Sequence, residues 1–91
     1  MPEVTFTVRL PDGSFQYCYS PSTVVKSYFE KGEVIFVSEF LPKARNALTE
    51  ASERVAAKFG FHCTAAAASL ADIERWAGSL PPETPLTILH I

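Results

Sequence analysis

The chain has 91 residues, of which 47% are apolar and 20% charged, with a net charge of −2. That length fits a single domain, and the composition is that of a globular protein rather than a disordered one. The basic residues are scattered from Arg9 to Arg75, so there is no clustered positive surface for nucleic acid, and no run of about 18 apolar residues offers a membrane-spanning helix.

The first element is a strand. Val4, Phe6, Val8 and Leu10 alternate with Thr5, Thr7 and Arg9, the period of a half-buried strand. Pro11-Asp12-Gly13-Ser14 follows, and Asp-Gly is a strong signal for a two-residue type I′ hairpin turn. A turn on Asp12-Gly13 pairs Leu10 with Phe15, Val8 with Tyr17 and Phe6 with Tyr19. That register predicts an apolar face of Val4, Phe6, Val8, Leu10, Phe15, Tyr17 and Tyr19. The opposite, polar face would carry Thr5, Thr7, Arg9, Gln16 and Cys18.

Ser20-Pro21-Ser22 ends the second strand, and Ser22 or Ser20 is placed to cap a short helix over 23–30. Glu33 to Val37 reads as an extended connector or a short edge strand. The clearest helix runs from about Glu39 to Phe59. Its expected cap is Ser38, with Pro42 in the first turn and an apolar stripe of Phe40, Ala44, Leu48, Ala51, Val55 and Phe59. Glu50 and Arg54 are spaced to pair. Gly60 is expected to end that helix in the left-handed conformation, with Phe61 making the accompanying apolar contact.

A further helix is predicted from about Ala65 to Ala77, with Thr64 as its cap and Leu70, Ile73, Trp76, Ala77 and Leu80 facing inward. Gly78 and Pro81-Pro82 stop it, and Leu86 to Ile91 reads as a final strand beside the first. The expected fold is a single small α+β domain over 1–91. It has an N-terminal β-hairpin, two to three helices packed on one sheet face, and a C-terminal strand joining the sheet.

The start, Met1-Pro2-Glu3, lacks the basic and apolar regions of a signal peptide, which points to the cytoplasm, where Cys18 and Cys63 are expected as reduced thiols. Cys63 is the candidate catalytic residue. It precedes the N-terminus of a helix, where partial positive charge lowers a thiol pKa. Weighed against that is a small residue filling a tight helix–helix corner, which fits the absence of an assigned base.

Cys18, Tyr19, Ser20, Ser22 and His62 are candidate binding residues. The hydroxyl-rich stretch 17–23 could line a ligand site, although Ser and Thr there also serve as caps. Two Cys and two His form an allowed zinc set, but their spacing matches no zinc motif. No metal and no cofactor is expected, and no carboxylate pair is placed for acid–base work. His90 reads as an ordinary edge-strand residue.

The stretches Pro11-Asp12-Gly13, Cys18-Tyr19-Ser20-Pro21-Ser22, Ala51-Ser52-Glu53-Arg54-Val55 and Phe59-Gly60-Phe61-His62-Cys63 resemble a family of short bacterial nitrogen-starvation-response proteins. The resemblance covers Val4 to about Ala77. It implies a gene cluster with a nitrilase, a radical-SAM protein, an acetyltransferase and a flavin-dependent oxidoreductase, linked to nitrile or cyanide assimilation. It assigns no catalytic residue. Three functions are open at this point. The first is a non-catalytic accessory or regulatory protein binding a protein partner from its own cluster or forming a homodimer. The second is a thiol-dependent enzyme or redox sensor using Cys63. The third is a binding module for a nitrile-derived metabolite, using the segment from Tyr17 to Thr23.

Overall fold

A computed structural model describes residues 3–60 and 64–91, with only the backbone of Phe59. Strands β1 (Val4–Arg9) and β2 (Phe15–Ser20) form the N-terminal hairpin. The turn between them is not the two-residue turn expected. Among the described residues only glycines have positive φ, so Asp12 does not adopt the conformation a type I′ turn requires.

Instead Gly13, at φ 90°, closes a three-residue loop. The Gly13 N–H donates to the Leu10 carbonyl at 3.0 Å and the Leu10 N–H to the Ser14 carbonyl at 2.8 Å. The Asp12 carboxylate accepts from the Ser14 N–H at 2.9 Å and its hydroxyl at 2.6 Å. These two bonds hold the Asp12 carboxyl below the usual carboxylate range. A glycine at such a position is the usual solution for a three-residue hairpin.

One extra loop residue moves the register by one. Phe6 pairs with Cys18, Val8 with Gln16 and Val4 with Ser20. Because strand side chains alternate, the whole of β2 is turned over relative to the expectation. Cys18 and Ser20 face the core, whereas Phe15 and Tyr17 are 50% and 70% exposed.

The sheet order is β2-β1-β4-β3, antiparallel throughout. Strand β3 is Val34–Phe36 and β4 is Pro85–His90. The C-terminal strand therefore lies beside β1, as expected. The segment after Gly32 is an edge strand.

Ser22 caps a 3₁₀ helix over Thr23–Ser27, accepting from the Val24 N–H at 3.3 Å. Helix α1 spans Val37–Phe59 and follows β3 without a loop. Its start corrects the expected Ser38 cap. Phe36 is the capping residue and makes no side-chain bond. The Val37 and Ser38 N–H groups donate to the carbonyls of Thr84 and Pro82, each at 3.0 Å, so the loop before β4 satisfies the helix end. Because the helix begins earlier, Pro42 lies in its interior, on an exposed side, where its missing N–H removes one helical bond. Gly60 ends the helix at φ 80°, its N–H donating to Ala56 at 2.7 Å. Helix α2 spans Thr64–Gly78.

Both helices cover the sheet face formed by Val4, Phe6, Val8, Leu86 and Ile88. Phe40, Ala44, Leu48, Ala51 and Val55 of the expected stripe are buried, and the Phe59 side chain lies outside what is described. An aromatic chain crosses the core, with ring centroids 5.9 Å apart for Phe6–Phe29, 5.3 Å for Phe29–Phe40 and 5.7 Å for Phe40–Trp76. Such buried rings dominate the stability of a small core, at about 1.5–3 kcal/mol each. Glu50 does not pair with Arg54. It accepts the Tyr28 hydroxyl at 3.2 Å.

Candidate functional site

The end of β2 and the turn after it hold four of the candidate residues. Ser20 and Ser22 are buried, and their polar atoms serve the backbone. The Ser20 hydroxyl donates to the Ser22 carbonyl at 2.8 Å and accepts from the Ser22 N–H at 3.3 Å. Ser22 in turn caps the 3₁₀ helix. The Ser20 and Ser22 hydroxyls, which could have lined a ligand site, are occupied in shaping the turn.

Tyr19 is held from the side by a residue that sequence reasoning did not single out. The Ser69 hydroxyl of α2 accepts from the Tyr19 N–H at 3.3 Å and donates to the Tyr19 carbonyl at 2.6 Å. The only sequence signal was a serine directly following the four alanines at 65–68.

Cys18 is a free thiol, 3% exposed, in the core cluster with Phe6 and Val4. Burial pushes it up to about 12, and the negative charge of Asp72 adds to the rise. A thiol held protonated at neutral pH is a poor nucleophile and a poor metal ligand. Asp72 itself pairs with Arg75. Cys63, His62 and Phe61 lie outside the described residues. Among the described residues, no group of three or more His, Cys, Asp or Glu side chains converges to hold a metal.

Three surface clefts bear on ligand binding. One of ≈ 230 Å³ lies between α1 and α2, lined by Leu48, Ser52, Ala66 and Leu70 among others. One of ≈ 590 Å³ is lined by Lys26, Lys31, Lys43, Glu30 and Glu33, so its charges are mixed. One of ≈ 210 Å³ sits beside Arg9, Leu10, Pro11, Pro85 and Thr87. Small-molecule sites are enclosed, mostly apolar and roughly 300–1,000 Å³, so none of these three combines the required size with an apolar lining. None is lined by residues 17–23.

The sheet face away from the helices is the more informative feature. Its exposed side chains include Phe15 and Tyr17 on β2 and, on β3, Val34 and Phe36 at 63% and 50% exposure. Across the sheet, Phe15 pairs with Arg9, Arg9 with Thr87, and Thr87 with Val34. The result is a row with apolar residues at both ends and Arg9 within it. No helix of the described residues is long and apolar enough to cross a membrane.

Four antiparallel strands with helices on one face and an open, partly aromatic second face define a small α+β domain that presents a surface rather than a pocket. The chain belongs to the family of the nitrogen starvation-induced protein NitG, whose profile matches residues 5–91. No curated protein and no solved structure matches the chain.

Proposed function

We propose that this member of the family is a small, non-catalytic accessory or regulatory protein of the nitrogen-starvation response, working in the bacterial cytoplasm by binding a protein partner. The observation that carries this reading is the contrast between the two sides of β2. Toward the core, Cys18, Ser20 and the Ser22 turn are consumed by packing and capping. Toward solvent, Phe15 and Tyr17 stand largely exposed. Exposed aromatic residues grouped on one face are a mark of protein–protein contact.

The partner is encoded in the same gene cluster, among the nitrilase, radical-SAM, acetyltransferase and flavin-dependent proteins of nitrile or cyanide assimilation. The test is quantitative affinity capture of the tagged chain from nitrogen-limited cells of its own host. Recovery of one cluster-encoded protein in near-stoichiometric amount is the expected result. Recovery of none of them overturns the reading.

A further inference from the structure

The open sheet face carries a charge pattern that selects its occupant. Along β1 the alternation extends one residue back to Glu3, so Glu3, Thr5, Thr7 and Arg9 lie on the solvent side while Val4, Phe6 and Val8 are buried. This row has a carboxylate at one end and a guanidinium at the other. The two ends are about 20 Å apart, at 3.3 Å per residue. Neither Glu3 nor Arg9 forms an ion pair with any described residue.

The row is self-complementary on reversal. Glu3 and Arg9 are equidistant from Phe6, as are Thr5 and Thr7. We infer that the open face binds a second copy of this chain, sheet to sheet, with the two β1 strands antiparallel across a two-fold axis at the level of Phe6. That axis sets Glu3 of each copy over Arg9 of the other and Thr5 over Thr7. One symmetry operation thereby makes two ion pairs, which is the self-complementarity that an isologous interface demands. Sheets packed face to face lie about 10 Å apart, a gap that the long Arg and Glu side chains span together.

The hairpin register supports the same occupant. The three-residue turn directs Phe15 and Tyr17 outward and Cys18 and Ser20 inward, the less favourable choice for a chain that stays monomeric. A second sheet over this face returns the outward aromatic residues to an apolar environment. Because β4 and the short β3 continue past the Arg9 end of β1, the overlap is that of β1 and β2, each about 20 Å long and about 4.8 Å apart, which is smaller than a standard stable interface. The dimer is therefore weak and in exchange with monomer. The protein partner proposed above uses the same exposed Phe15 and Tyr17, so it competes with the second copy for this face. This inference rests on that reading only in taking the sheet face as a protein-contact surface.

Sedimentation equilibrium of the purified chain, from micromolar to millimolar concentration, tests it. The wild type is expected to show a concentration-dependent rise to the mass of two chains. Arg9→Glu and Glu3→Arg each replace two attractions by two repulsions and are expected to weaken association by about tenfold. The double variant Glu3→Arg/Arg9→Glu restores opposite charges and is expected to recover wild-type association. Both substitutions fall on exposed positions, and circular dichroism confirms that each of the three variants is folded. A wild type of one-chain mass at millimolar concentration overturns the inference, as does a double variant no tighter than the singles. A monomeric chain that still captures a cluster-encoded protein would overturn this inference and leave the accessory role standing.

Discussion

The Ser69 hydroxyl bonds both main-chain polar groups of Tyr19, accepting from its N–H at 3.3 Å and donating to its carbonyl at 2.6 Å. Strand β2 lies at the sheet edge, and an edge strand leaves alternate N–H and C=O groups unpaired and open to unwanted pairing. A single hydroxyl on a neighbouring helix closes that edge at Tyr19 and ties α2 to the sheet.

Replacing Ser69 by alanine should therefore lower stability by about 1–2 kcal/mol, the cost of leaving two partly buried polar groups unpaired. Urea unfolding measures it. The Tyr19 amide should also lose protection in hydrogen exchange, while amides in the middle of β1 stay protected to the same degree relative to global unfolding.

Gly13 closes the three-residue loop that accompanies the observed facing of β2. At φ 90° with open space around it, a side chain there meets backbone strain and no steric neighbour. Gly13→Ala should cost about 1–2 kcal/mol, read from the shift in urea midpoint. The hairpin register should survive, since Cys18 and Ser20 remain packed against the helices.

Cys18 gives a pH signature. Its folded pKa, about 12, lies above the ordinary thiol value of 9.0. Below pH 9 both folded and unfolded chains hold the proton, so the thiol has its full stabilising effect. Above it the unfolded chain ionises first and binds fewer protons, so stability falls with rising pH. The slope approaches about 1.4 kcal/mol per pH unit between the two values. Cys18→Ala removes this component, and the difference between the two pH–stability curves isolates it from Tyr and Lys titration. Alkylation of Cys18 in the native protein should likewise be limited by opening of the structure rather than by an ordinary thiol titration.

Much of the fold was legible in the residues. The alternation of Val4, Phe6 and Val8, the stripe from Phe40 to Val55 and the Gly60 stop each follow from local periodicity or backbone chemistry. So does the placement of the last strand beside the first. The register of β2 was not legible, because Asp-Gly serves both a two-residue turn and a three-residue loop. The apolar side of β2 reinforced the wrong choice. Phe15, Tyr17 and Tyr19 look like core residues only on the assumption that every aromatic side chain seeks the interior of its own chain.

The same assumption hid the candidate surface. A reading that fills the core first assigns Phe15 and Tyr17 to it and leaves Cys18 on the outside as a possible site. The structure exchanges them. Ser69 escaped notice for a different reason. It acts across a sequence separation of 50 residues, and no local pattern marks a helix residue that will meet a strand edge.

The claim that matters most is that the open sheet face is covered by protein when the chain is at work. A photo-crosslinking amino acid placed at Tyr17, with Asn46 on the exposed side of α1 as the comparison position, reads this directly in nitrogen-limited cells. A discrete protein crosslink from position 17, to a second copy or to a cluster-encoded protein, and none of that product from position 46, is the predicted result. A chain that supports the nitrogen-starvation response normally yet gives no protein crosslink from position 17 would contradict it.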